Sequence, residues 1–169
     1  MALAKFREHQ DKSGEALQLG NIANALSDLK DYKKSLEYNQ RALSIYEELG
    51  EPVGISRNLN NIGVLYESTG DMALALQCHF KSLQISRDKH YPSGELLSLG
   101  NIGELYLKLS EQQEPYKTDS LIPASKSACL HLALQYLKQS IDMGKNSGDA
   151  SFYVTDLKCY ADALHANGD

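Results

Sequence analysis

Apolar residues recur along this chain at three- and four-residue spacing, and the stretches that carry the pattern are themselves repeated. Leu36, Ala42, Leu43 and Tyr46 fall on one face of a helix predicted between Lys33 and Tyr46, and the stretch from Ala73 to Ser86 has the same form 40 residues later. A different helical pattern precedes each of them. Leu19-Gly-Asn-Ile-Ala-Asn-Ala-Leu26 returns as Leu59-Asn-Asn-Ile-Gly-Val-Leu-Tyr66 and again as Leu99-Gly-Asn-Ile-Gly-Glu-Leu-Tyr106, at intervals of 40. A fixed period of that size means a repeat architecture, in which pairs of amphipathic helices bury their apolar faces against one another and against the next pair.

Turn chemistry agrees with this division. Lys30-Asp31 and Gly70-Asp71 fall between the two helices of a pair, where Gly suits a left-handed helix end and Asp an N-cap. Pro52 and Pro92 fall between pairs, near the starts of the next helices. The third second-helix pattern, Leu130 to Ile141, comes 58 residues after its counterpart, since Ala133 matches Ala75. The excess is an 18-residue insertion, 111–128, rich in Glu, Gln, Lys and Ser and carrying Pro115 and Pro123. Its composition predicts a solvated loop, with docking of the apolar Leu121-Ile122-Pro123 on a neighbour or partner as the alternative.

The expected layout is all-α, about eight helices without strands, in a single array. Residues 1–10 end a preceding helix, 13–50 and 53–90 form two repeats, 93–146 a third with the insertion, and 149–169 the first helix of a fourth. Both ends then fall inside a repeat. The expectation is an excerpt of a longer array whose exposed end could dimerise.

The small residues Ala23, Gly63 and Gly103, the aromatic Tyr66 and Tyr106, and the second-helix Ser35, Ala75 and Ala133 resemble the tetratricopeptide repeat signature over essentially the whole chain. Small residues at such sites let two helices approach closely while Leu and Tyr fill the spaces between. The chain departs from that signature in its period of 40 against about 34, in Leu26 where Tyr is expected, and in Asn39 and His79 at the usual second-helix aromatic. The long period is similar to that of kinesin light chains, spindle-orientation adaptors and bacterial signalling proteins, and the connector 47–59 most resembles the bacterial group.

That resemblance implies a right-handed superhelix, an α-solenoid of antiparallel helix hairpins whose first helices line a concave groove. The groove positions would be Asn24, Ser27 and Asp28; Arg57, Asn60, Val64, Glu67 and Ser68; Leu97, Gly100, Glu104, Leu107 and Lys108; then Lys158 and Asp162. Family members that clamp a terminal carboxylate use lysines where this chain has Gly20, Asn60 and Gly100, so a carboxylate clamp is not expected. Mixed charge suits an extended or helical partner segment bearing both signs. The equivalent Asn21, Asn61 and Asn101 are expected to hydrogen-bond between neighbouring helices, with ligand contact the lesser alternative.

Composition narrows the function further. The 169 residues are 42% hydrophobic and 23% charged, with a net charge of −5, which lacks the cationic footprint of a nucleic-acid or anionic-membrane surface. Lys33-Lys34 is the one adjacent basic pair and reads as a solvated helix face. Cys78, Cys129 and Cys159 show neither metal-ligand nor disulfide-framework spacing. The five His show no paired-ligand pattern, and Cys78-His79 reads as packing. No apolar run reaches the roughly 18 residues of a membrane span. No activated nucleophile or phosphate loop is visible, so neither catalysis, metal nor cofactor is expected. The expected function is a non-catalytic interaction module that binds a peptide or helix in its groove, within a larger protein such as a bacterial signalling protein. A structural scaffold that self-associates through repeat faces, as a homodimer for instance, is the alternative. Unpaired cysteines point to a reducing cytoplasm, with a periplasmic or extracellular site if the parent is a membrane-anchored sensor.

Overall fold

A computed structural model describes residues 11–112, 120–147 and 154–168. Among them lie seven helices: α1 (Lys12–Asp28), α2 (Tyr32–Leu49), α3 (Pro52–Ser68), α4 (Met72–Asp88), α5 (Pro92–Glu111), α6 (Lys126–Ser147) and α7 (Val154–Asn167). No strand accompanies them among the described residues. The chain divides into two compact units, Met1–Tyr91 and Pro92–Asp169. The helix expected over 1–10 and most of the insertion fall outside the described residues.

In the first unit α1 packs on α2, α2 on α3 and α3 on α4. Capping sets where these helices start. The Asp11 carboxylate accepts from the Gly14 amide at 2.8 Å and Asp31 accepts from the Lys34 amide at 3.3 Å, each satisfying an otherwise free first-turn donor. Pro52 is the first residue of α3, where its missing N–H costs nothing. The helices end in one recurrent way: the amides of Asp31, Glu51, Asp71 and Tyr91 donate to the carbonyls of Leu26, Tyr46, Tyr66 and Ser86 at 2.8–3.0 Å. Such a closure requires a left-handed residue just before the donor. Gly50 (φ 64°) and Gly70 (φ 88°) fill that place, but so do Lys30 (φ 60°) and His90 (φ 51°), against the steric preference of a Cβ.

Close approach at small residues holds each pair together. Ser35 Oγ donates to the Ala23 carbonyl at 2.7 Å, which is feasible because both side chains are small enough to let α1 and α2 approach. A Cβ on Gly63 would lie 2.5 Å from His79 Cε1. Between pairs, Gly54 admits the Tyr46 ring, whose Cδ1 would be 2.3 Å from an added Cβ. Ala16, Leu19, Ala42 and Tyr46 make a core against which Tyr38, Ile45 and Ile55 pack. A buried hydroxyl cluster joins α3 to α4: Ser56 Oγ is 2.8 Å from Ser82 Oγ and 2.7 Å from Ser86 Oγ. Ser82 Oγ also lies 2.9 Å from the Ser56 carbonyl.

The second unit repeats this construction in α5 and α6, with Leu99, Ile102, Leu105, Leu109 and Leu137 fully buried. Leu137, the counterpart of His79, lies so close to Gly103 that a Cβ there would be 2.6 Å from its Cγ. Residues 120–125 of the insertion fold back onto this hairpin. Tyr106 Oη donates to the Leu121 carbonyl at 2.7 Å, Ile122 is buried, and the Tyr106 ring stacks on Tyr136 at 6.0 Å between centroids. The apolar triplet thus docks on its own hairpin. Burial and the neighbouring Tyr136 push the Tyr106 phenol up to about 12, so it stays a donor at any ordinary pH.

Candidate functional site

The first helix of each pair exposes one side chain per turn on the face away from its partner helix. In the first unit α1 presents Leu17, Asn24 and Asp28, and α3 presents Val53, Arg57, Val64 and Ser68, all exposed; Ser27 and Glu67 are half-buried. Between the starts of α1 and α3 the surface sinks into a cleft of about 440 Å³. Tyr46 lines it beside the small residues Gly14 and Gly54. Burial raises the Tyr46 phenol above its ordinary range.

Apolar and charged groups meet in this cleft. Leu17 and Val53, 43% and 39% exposed, lie with Arg57, Asp11 and Glu51 around it. Ser13 Oγ donates to Glu51 at 2.9 Å, fixing one acid. An apolar group entering here would shed water against Leu17 and Val53 while its polar flanks met a guanidinium and two carboxylates.

Asn60 is a correction. It is 1% exposed, and its Oδ1 lies 2.9 Å from His79 Nδ1 inside the α3–α4 pair. A neutral imidazole in the usual place of an aromatic needs a polar partner, and Asn60 turns inward to supply it. Burial also lowers the His79 pKa to about 4, which keeps it neutral. Leu17 and Val53 were missed as candidates. Leu17 was available from the 40-residue register, since it is the counterpart of Arg57 and Leu97.

In the second unit, α5 exposes Leu97 and Lys108 and half-buries Glu104, while α7 exposes Lys158 and Asp162. Gly100 and Leu107 are corrections of the same kind as Asn60, both buried. Above Gly100 sits the Asp156 carboxylate, where an added Cβ would lie 2.7 Å from Oδ1. Ser140 Oγ donates to Asp156 Oδ2, and burial raises the Asp156 pKa more than that bond lowers it. Among the asparagines at equivalent positions, Asn21 is exposed and Asn61 and Asn101 are half-buried.

Burial raises the thiols of Cys78 and Cys159, so both are protonated and poorly nucleophilic near neutrality. His79 is enclosed and bonded to Asn60, which removes it from any pairing with Cys78 at a surface. Among the described residues no group of three or more His, Cys, Asp or Glu is placed to hold a metal ion. No described helix is long and apolar enough to cross a membrane.

Comparison with known proteins agrees with this architecture. The tetratricopeptide repeat family matches residues 14–88, the stretch from α1 to the end of α4. No curated protein sequence matches the chain. Among solved structures, the apo form of RapI is similar, with a TM-score of 0.79 at 21% identity. The alignment takes in 98% of this chain and 54% of that one, so the chain spans about half the length of that protein. At this identity the likeness is one of fold.

Proposed function

Because residues 14–88 match the tetratricopeptide repeat family, we propose that the chain is a non-catalytic interaction module that takes a peptide or helix of a partner protein on the first-helix face. The observation that carries this reading is the cleft between α1 and α3, where exposed Leu17 and Val53 stand beside Arg57, Glu51 and Asp11. An occupant with one apolar anchor flanked by both signs of charge fits that lining. Asn24, Asp28, Val64 and Glu67 extend the face along the same two helices, and Leu97, Glu104 and Lys108 form its counterpart on α5. The carboxylate clamp is disfavoured, because Gly20, Asn60 and Gly100 supply no cation.

The repeats make one array, interrupted by the insertion 111–128, in a larger signalling protein that acts in the cytoplasm. The high-lying thiols and the enclosed His79 favour a module without catalysis. A second reading, a structural scaffold that self-associates through repeat faces, is favoured by the exposed apolar residues Val154 and Leu157.

Panning a peptide library displayed on phage against the 169-residue chain tests the main reading. Enriched peptides should combine an apolar residue with charges of both signs. Their affinity should fall about tenfold or more, roughly 1.4 kcal/mol, in Arg57→Glu and in Leu17→Asp. It should hold in Lys33→Glu, on the second-helix face. Peptides that bind all three variants equally, or no enrichment at all, would overturn it.

A further inference from the structure

The cleft between α1 and α3 is built in layers, because residues 40 apart in the sequence line it from its two sides. Asp11 and Glu51, at the N-cap positions of the two helices, make the first layer. Ser13 and Val53 make the second, beside Gly14 and Gly54, and Leu17 and Arg57 make the third. Counterparts line one cleft in this way only when α1 and α3 run in the same direction. The cleft therefore has a negative end and a positive end, with Val53 and Leu17 as its apolar wall.

The two ends do not neutralise each other. No ion pair among the described residues takes up Asp11, Glu51 or Arg57. Lys12, the cation beside Asp11 in sequence, is held instead by Glu48 at 3.1 Å. The two acids accept from neutral groups, Asp11 from the Gly14 amide and Glu51 from the Ser13 hydroxyl, and in each the second oxygen is left to accept from an incoming cation. Tyr46 lies within electrostatic reach of both ends: burial raises its phenol, Arg57 lowers it and Glu51 raises it again. Six residues of α3 separate Glu51 from Arg57, about 9 Å along the axis. A polyproline II segment returns to the same side every third residue, after about 9.3 Å. Same-side neighbours on a helix stand three or four residues apart, at about 6 Å, which falls short.

We propose that the cleft takes an extended, polyproline II segment of a partner protein with a basic and an acidic side chain three residues apart, which rests on the groove reading above and gives it a specific occupant. The basic side chain meets Asp11 and Glu51, and the acidic one meets Arg57, whose planar fork suits a carboxylate. An apolar residue between them lies against Leu17 and Val53. The spacing is fixed by the cleft, whereas the segment can run in either direction.

Blocked synthetic peptides that carry one lysine, one leucine and one glutamate in a proline frame test this, titrated into the 169-residue chain with the methyl resonances of Leu17 and Val53 as the readout. Peptides with the two charges three residues apart, in at least one of the two orders, should bind about tenfold or more tighter than those with charges two or four apart. Replacing the peptide's glutamate by glutamine should cost about tenfold on the parent chain and little on Arg57→Gln, because the second removal finds no pair left to break. Replacing its lysine should behave the same way against Asp11→Asn combined with Glu51→Gln. Equal binding at every spacing, losses that do not couple to these residues, or tighter binding of a helix-forming peptide with charges seven apart would each overturn the layered cleft. So would a set in which no peptide binds. In all of these outcomes, peptides enriched by panning with some other pattern would leave the groove reading standing.

Discussion

His79 Nδ1 and Asn60 Oδ1 meet at 2.9 Å in the interior of the α3–α4 pair, with the imidazole lying against Gly63. The amide oxygen can only accept, so the ring carries its proton on Nδ1 and donates. Protonating the second nitrogen would place a charge in that interior, which is why burial lowers the pKa from 6.5 to about 4.

A pH dependence of stability follows. An unfolded His79 takes up a proton as pH falls through about 6.5, while the folded one resists until about 4. Across that window the unfolded chain binds more protons, so stability is complete above the window and declines as pH drops through it. The full decline from this one group amounts to about 3 kcal/mol. Urea titrations between pH 7.5 and 4 should show it, and His79→Phe should remove this component of the slope.

Glycine-to-alanine substitutions should give opposite signs at two helical positions. Alanine improves helix propensity by about 1 kcal/mol. At Gly20 the nearest outside atom to an added Cβ is Asn58 Nδ2 at 4.0 Å, so Gly20→Ala should stabilise by up to that amount. At Gly63 the added Cβ would meet the His79 ring at 2.5 Å, held in place by Asn60. Overpacking of that kind costs about 1–3 kcal/mol. Gly63→Ala should therefore melt lower than the parent and Gly20→Ala higher.

These same residues mark what was legible in the sequence. The helices, their pairing and the close contacts at Ala23, Gly63 and Gly103 follow from a 40-residue spacing, because identical spacing forces identical packing. The face of the first helices was legible for Arg57, Val64 and Leu97 for the same reason. Asn60 was not. Its register position is shared with Gly20 and Gly100, which carry no side chain whose direction could be judged. Its inward turn depends on a residue 19 positions away, His79, occupying the place of an aromatic. The docking of Leu121 depends likewise on a bond from Tyr106 to its carbonyl that no local pattern encodes.

Lys30 offers a test of the recurrent turn. It holds φ 60° at the place where the next pair has Gly70. A left-handed conformation costs a residue with a Cβ about 1 kcal/mol relative to glycine. Lys30→Gly should therefore raise stability by up to that amount, provided the greater freedom of unfolded glycine does not offset it. Chemical denaturation midpoints would measure the balance; a fall would mean that the entropy of unfolded glycine or contacts of the Lys30 side chain outweigh the relieved strain.

Asp156 carries the opposite pH sign to His79. Its carboxyl is buried over Gly100 with the Ser140 hydroxyl as donor, and burial raises its pKa above its ordinary value. The unfolded carboxyl ionises first as pH rises, so the folded state binds more protons across the interval and loses stability there. Asp156→Asn removes the charge while keeping the shape. It should stabilise the second unit by roughly 1 kcal/mol at pH 7, where burying an ionised group is unfavourable, and the gain should vanish in acid where the parent carboxyl is already neutral.

The Tyr106 hydroxyl ties the insertion to the hairpin through a hydrogen bond. Its bond to the Leu121 carbonyl at 2.7 Å anchors the segment that carries the buried Ile122, while the Tyr106 ring stacks on Tyr136. Tyr106→Phe retains the stack and the burial and deletes only the donor, leaving a carbonyl to find another partner. The loss should be about 1 kcal/mol. A local anchor should also release locally, so amide hydrogen exchange at 120–125 should quicken more than exchange in the body of α5 or α6. Uniform acceleration across the second unit would instead mean that the Tyr106 hydroxyl supports the whole hairpin.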